Sequence, residues 1–325
     1  MKYVRPIFSI ICLLIFGWAP AQIHTETISF TSANPFSLND IIEDLENQPQ
    51  QRVFGKLTLP VDSLAADQKF PLIIGVAGSL DWRAHHLEYM QMYQQAGFAT
   101  FELQSFASRN ISSTVGSQDQ TTIAALILDA YRALDTLGEH PAIDPTRVAL
   151  TGWSLGGGVS LFSGWLPLRE AIGPKYHFAA HLAFYPPCFF KLLDTQFTQA
   201  PIHILIGEAD DWTPAAPCQN LVQQLAQNTS IGLTTYPRAH HGFDSEAPVV
   251  VNPDGYSFKD CLFDLTAEGD VLMNYLKIPM SNPSLQKLGF MFCVEKGVHI
   301  GGNPQARKKS FAFAQAFMQK HLQAN

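Results

Sequence analysis

The chain has 325 residues, 46% of them hydrophobic and 15% charged, with a formal net charge of −7. That hydrophobic share supports a large core and argues against a disordered chain, and a negative balance without a basic tract gives no footprint for nucleic acid. One α/β domain of this length is ordinary, so two domains are not required.

Lys2 and Arg5 precede an apolar run over residues 7–18, and Ala19-Pro20-Ala21 follows as a small-residue cleavage site. This predicts a signal peptide over 1–21 and an exported chain, secreted or periplasmic, folding as a single domain over 22–325. The run is too short to predict a stable membrane anchor. Beyond Cys12, which lies inside that run, four cysteines remain: Cys188, Cys218, Cys261 and Cys293. In an exported chain four cysteines suggest two disulfides, in one of three possible pairings. Cys188–Cys218 and Cys261–Cys293 are favoured because each pair lies within one region of the chain; free buried thiols are the alternative.

The chain then opens with a polar segment over 25–51, and residues 53–60 alternate like a strand. Residues 70–77 form a continuous apolar run, suited to a strand buried on both faces of a parallel sheet. A helix is expected over 87–95, a strand over 98–103, a loop over 110–120 and a helix over 121–137. The run Arg147-Val148-Ala149-Leu150-Thr151 forms the next strand, followed by a helix over 156–172. Strands over 178–185, 202–206 and 231–236 enclose a helix over 215–227. Regular alternation stops between 244 and 301, an irregular excursion that is a candidate lid. Asn303-Pro304 then supplies an N-cap and a first-turn proline for a last helix over 305–322. Alternating strands and helices predict a doubly wound, mostly parallel sheet with helices on both faces.

Gly152-Trp153-Ser154-Leu155-Gly156 sits between the fourth of these strands and a Gly-rich helix start. This G-x-S-x-G pattern is that of a nucleophile elbow, in which a serine stands at the tip of a tight strand-to-helix turn and glycines clear space around it. A serine hydroxyl needs a base to take its proton and an acid to orient that base. Downstream, Glu208, Asp210 and Asp211 follow one strand and His240 and His241 another, giving the Ser, acid, His order of an α/β-hydrolase at strand ends. Sequence logic alone leaves Asp210 against Asp211, and His240 against His241, open.

These stretches, together with Gln104-Ser105-Phe106-Ala107-Ser108-Arg109, Gly207-Glu208-Ala209-Asp210-Asp211-Trp212-Thr213-Pro214 and His241-Gly242-Phe243-Asp244, resemble the dienelactone hydrolase family of α/β-hydrolases over nearly all of the mature length. The resemblance implies Asp210 as the acid and His241 as the base. Leu155 and Ser79 are expected to offer oxyanion-hole N–H groups. Two departures stand out: Ala77-Gly78 where relatives have His-Gly, and Gln104 where relatives have Asp, removing a possible salt link. Arg109 is expected near the pocket, either gripping a substrate carboxylate or bracing its own loop. Trp153, Trp212 and Phe243 are candidate pocket walls, with Trp82 beside them.

Ser284-Leu285-Gln286-Lys287 matches S-x-x-K but lacks the other β-lactamase motifs. The adjacent pairs His85-His86 and His240-His241 do not have metal-ligand spacing, and no phosphate-binding loop occurs, so no metal or cofactor is expected. The expected activity is cleavage of a small-molecule carboxylic ester or lactone through an acyl-enzyme. A peptidase, amidase or polyester hydrolase with the same triad is the alternative, and a binding protein on a hydrolase scaffold the remote one.

Overall fold

The computed structural model describes residues 24–60, 69–274 and 276–323; the expected signal peptide lies outside them. In chain order the elements are β1 (His24–Ala33), α1 (Leu38–Asp44), β2 (Gln50–Leu59), β3 (Phe70–Val76), α2 (Ala84–Gln95), β4 (Ala99–Leu103), α3 (Ile123–Gly138) and β5 (Ile143–Trp153). Then come α4 (Leu155–Phe162), α5 (Leu166–Ile172), β6 (Ala180–Phe184), β7 (Phe190–Leu192), β8 (Ile202–Gly207), α6 (Ala215–Leu225) and β9 (Ile231–Tyr236). The chain ends with β10 (Val250–Ser257), β11 (Phe263–Leu265), β12 (Val271–Leu272), α7 (Pro283–Phe290), β13 (Glu295–Ile300) and α8 (Pro304–Leu322).

Eight strands form the central sheet in the order β1-β2-β4-β3-β5-β6-β8-β9. From β4 to β9 every pairing is parallel, while β1–β2 and β2–β4 are antiparallel. All of β3 is buried, as its unbroken apolar run requires. Helices α2 and α8 pack together, with Tyr89 stacked on Phe311, and α1, α3, α4 and α5 form a second layer. The order of connection reverses between β3 and β5, since β4 lies on one side of β3 and the chain then crosses to the other. At such a switch point two successive loops diverge and leave a crevice at the strand ends. Ser79 and Ser154 stand there.

The polar segment over 25–51 holds more structure than its composition suggests. β1 pairs along its whole length with β2, and α1 starts at a reciprocal capping box in which Ser37 accepts from Asp40 N while the Asp40 carboxylate accepts from Ser37 N. The single helix expected over 156–172 is two. Pro167 in the first turn of α5 cannot continue a helix, and Trp165 Nε1 instead donates to Asp194 O.

The irregular excursion also has its own order. β10 pairs with β13, while β12, β11 and β7 make a three-stranded sheet. Phe189, Phe258, Phe263, Met280 and Val298 form a small apolar cluster with the Cys261–Cys293 disulfide beside it. A second disulfide, Cys188–Cys218, ties the turn after β6 to α6. Gly301 N donates to His241 O, Gly302 N to Ala247 O and Asn303 N to Phe243 O, so the excursion enters and leaves the fold at neighbouring points.

His181 on β6 is buried in the core, and its Nδ1–H donates to Ser160 O at 2.8 Å. Burial lowers its pKa from the ordinary 6.5 to about 4. The unfolded chain therefore binds the extra proton between those values, and stability contributed above about pH 6.5 is lost as pH falls towards 4. The loss is about 3 kcal/mol for this residue. Urea unfolding across that range should show it, and in His181→Gln, which keeps a donor without the charge, the acid-side slope should be shallower than in the wild type.

Candidate active site

The elbow is set by close approach. A Cβ on Gly152 would lie 2.1 Å from Gly156 O, and one on Gly156 would lie 2.1 Å from Val76 O. Only hydrogen at both positions lets α4 start hard against β3 and β5. The chain reverses through Ser154 at φ 55° and ψ −115°, a conformation that side chains resist, and Ser154 N donates to Phe184 O at 2.9 Å. The serine side chain is thereby lifted above the strand ends.

His241 Nε2 lies 2.9 Å from Ser154 Oγ, and His241 Nδ1 lies 2.8 Å from Asp210 Oδ2. The imidazole is buried, edge-on to Tyr185 at 4.6 Å and tilted over Trp212 at 4.8 Å between ring centroids. Asp210 is buried too. Its Oδ1 accepts from Trp212 N at 3.0 Å and Thr213 N at 2.9 Å, and the Thr213 hydroxyl stands 3.3 Å from Oδ2. A carboxylate facing Nδ1 fixes the hydrogen on that nitrogen and leaves Nε2 free to accept from the serine. Its backbone partners hold the carboxylate in place as the helix α6 begins.

Of the adjacent pairs, Asp210 and His241 face the serine, while Asp211 and His240 turn to the other side and meet His299 of β13. Glu208 is exposed. Ser79 and Leu155 both line the space in front of Ser154. Among the described residues neither backbone N–H donates to a protein acceptor. A Cβ on Gly78 would crowd Trp153 O at 3.0 Å and Ser154 Cβ at 3.2 Å, so glycine there lets the loop after β3 close on the elbow.

Two cavities meet at Ser154. The first, about 130 Å³, runs under the excursion and is walled by Phe189, Phe190, Phe258, Phe263, Met280 and Phe290. The second, about 400 Å³, opens past His241 between Arg83, His85, Glu88 and Glu246. Trp212 lines both.

Two sequence-based expectations need correction, and the two readings of Arg109 are told apart. Arg109 lines neither cavity: its guanidinium is engaged by the Asp129 carboxylate at 2.7 and 3.1 Å, by Asn34 Oδ1 at 2.7 Å and by Ser105 O at 3.0 Å. It braces its loop against α3, with no donor spare for substrate. Asp129 thus supplies an acidic partner on α3. Trp153 and Phe243 are fully buried and are core, Trp153 stacked on His86 and Phe243 against Tyr185 and Tyr236. Sequence reasoning also passed over Thr213 and Tyr185. Tyr185 leaves β6 at φ 36°, and its hydroxyl donates to the buried carboxylate of Asp244 at 3.0 Å; that burial and charge push the phenol pKa well up.

A mostly parallel sheet with a serine on a strained strand-to-helix turn at its switch point is the α/β-hydrolase fold. Within it, the chain belongs to the dienelactone hydrolase family, whose family model matches residues 90–259. It is therefore a hydrolase of the ester- and lactone-cleaving type. Similar solved structures include dienelactone hydrolase from Anabaena variabilis ATCC 29413, 19% identical, covering 66% of this chain and 88% of that one with a TM-score of 0.46. Esterase 2 of Thermogutta terrifontis is 16% identical over 65% of this chain and 85% of its own, with a TM-score of 0.48. Dipeptidyl peptidase 4 of Porphyromonas gingivalis is 16% identical over 59% of this chain, which spans only 31% of that protein, with a TM-score of 0.44. No curated protein matches the chain.

Removing the Arg109 side chain strands the Asp129 carboxylate, which is wholly buried. Losing one partner of such a pair costs about 3–5 kcal/mol. Arg109→Ala should show that loss in denaturant unfolding, whereas a substrate-gripping arginine would leave stability unchanged and raise KM.

Proposed function

We propose that the protein cleaves carboxylic esters or lactones through an acyl-enzyme formed on Ser154. The observation that carries this reading is the continuous chain of contacts from Ser154 Oγ through His241 to Asp210, at 2.9 and 2.8 Å. Ser154 Oγ attacks the carbonyl carbon as His241 Nε2 takes its proton, and Asp210 stabilises the imidazolium. The carbonyl oxygen becomes an oxyanion held by the N–H groups of Leu155 and Ser79. Collapse expels the alcohol oxygen, which takes the proton from His241. Water, deprotonated by the same imidazole, then releases the acid and restores the serine.

The two cavities divide the substrate about the scissile bond. The aromatic one beneath the excursion suits an apolar group of modest size, and the charged, open one suits a polar group. The excursion over 244–301 roofs the apolar side through Phe258, Phe263, Met280 and Phe290. Two disulfides are compatible with export, and among the described residues no helix is long and apolar enough to cross a membrane.

A fluorophosphonate should label Ser154 in the folded protein, and Ser154→Ala should abolish labelling and lower kcat on a p-nitrophenyl ester by about 10⁴-fold or more. Faster turnover of aminoacyl anilides than of p-nitrophenyl esters would favour the peptidase alternative with the same residues. A labelled polyester film would test the polymer alternative. Absence of labelling, with activity unchanged in Ser154→Ala, would reject the serine mechanism.

A further inference from the structure

Asp211, His240 and His299 each present one ligand atom, and these atoms lie within 4.8 Å of one another. They come from three separate segments: the turn after β8, the turn after β9, and β13 of the excursion. Asp211 Oδ2 lies 2.7 Å from His299 Nδ1, and its Oδ1 accepts from His299 N at 2.8 Å. The imidazoles of His240 and His299 are 5.1 Å apart at their centroids. His240 Nδ1 is sealed from solvent with no hydrogen-bond partner among the described residues. A buried ring nitrogen left in that state carries an uncompensated desolvation cost.

We propose that this cluster is a divalent transition-metal site, with Zn²⁺ as the ion of best chemical fit. Two imidazole nitrogens and one carboxylate oxygen match zinc, which accepts that donor set in tetrahedral geometry with water as the fourth ligand. Calcium and magnesium require oxygen donors and are disfavoured by two histidines. Bonds near 2.0–2.1 Å put tetrahedral ligand atoms about 3.4 Å apart, so the 2.7 Å pair of Asp211 and His299 must open slightly while any pair near the 4.8 Å limit must close. His299 is the residue free to do this, because 46% of its side chain is exposed. The ion would replace the hydrogen bond between Asp211 and His299 and take a ring nitrogen of His240 as its third protein ligand.

The position gives the site its consequence. Asp211 and His240 directly precede Trp212 and His241 and directly follow or flank the proposed acid and base, while His299 belongs to the excursion. A bound ion would tie the two catalytic turns to the roof of the cavity from behind, away from Ser154. The inference does not rest on the hydrolase mechanism, because binding is measured without substrate.

The test uses tag-free exported chain titrated with Zn²⁺ by calorimetry, and with Co²⁺ while recording the visible spectrum. The expected result is one ion per chain, tetrahedral Co²⁺ bands, and a raised Tm with Zn²⁺ but not with Mg²⁺. His299→Ala should weaken binding by about tenfold or more and abolish the Co²⁺ bands. His299→Gln serves in its place if circular dichroism shows the alanine variant misfolded, and Asp211→Asn should weaken binding similarly. No stoichiometric binding by the wild type would overturn the proposal. So would undiminished affinity in both folded His299 and Asp211 variants, which would place the ion on other side chains.

Discussion

Helix α4 lies against β3 and β5 with nothing but hydrogen atoms between the backbones at Gly152 and Gly156. Much of the candidate site follows from that contact. Because the helix begins so close to the strand, the chain has one residue in which to turn, and Ser154 takes the strained angles. The same proximity aims the first N–H groups of α4, Leu155 foremost, at the space in front of the serine. Gly78 extends the arrangement to the neighbouring loop, bringing Ser79 alongside. A backbone constraint, more than any side-chain interaction, places the nucleophile candidate and both oxyanion-hole candidates in one step.

A second layer of organisation holds the partners. The Asp210 carboxylate is anchored by two backbone N–H groups of its own turn, and His241 is gripped between Tyr185 and Trp212. These contacts lose little to solvent because the residues are buried, so the geometry is fixed before any substrate arrives. Trp212 has two tasks, packing on the imidazole and walling both cavities. The excursion completes the enclosure with aromatic rings that the central sheet does not supply.

The central sheet is legible in the sequence because its inner parallel strands carry apolar runs bounded by glycine or proline, as in Phe70-Pro71-Leu72-Ile73-Ile74. β1 is harder to see: it is an edge strand whose His24-Thr25-Glu26-Thr27 start is polar and finds its meaning only through pairing with β2. α1 is seven residues long and buries only Leu38 and Ile41, too few to set up a periodic signal, although Ser37 and Asp40 have the spacing of a cap. Ser154, Asp210 and His241 can each be read as strand-end residues. Choosing among adjacent neighbours requires knowing which way each side chain turns, and sequence spacing carries no such direction. The role of Arg109 stays open in the sequence for a related reason, since its partner Asp129 is twenty positions away on α3. The cluster of Asp211, His240 and His299 is invisible to motif logic because its members come from two turns and a strand that only the folded chain unites.

The hydrogen bonds that join 241–247 to 301–303 have a further implication. They close the neck of the insertion, so the base loop and α8 meet each other directly whatever lies between them. A change in the length of the intervening stretch therefore leaves the two ends of the neck together. The molecule is built as a fixed chemical engine with an exchangeable fitting: the residues that decide what enters the apolar cavity can be redrawn, by lengthening, shortening or replacement, while the parts that would break the bond stay in register.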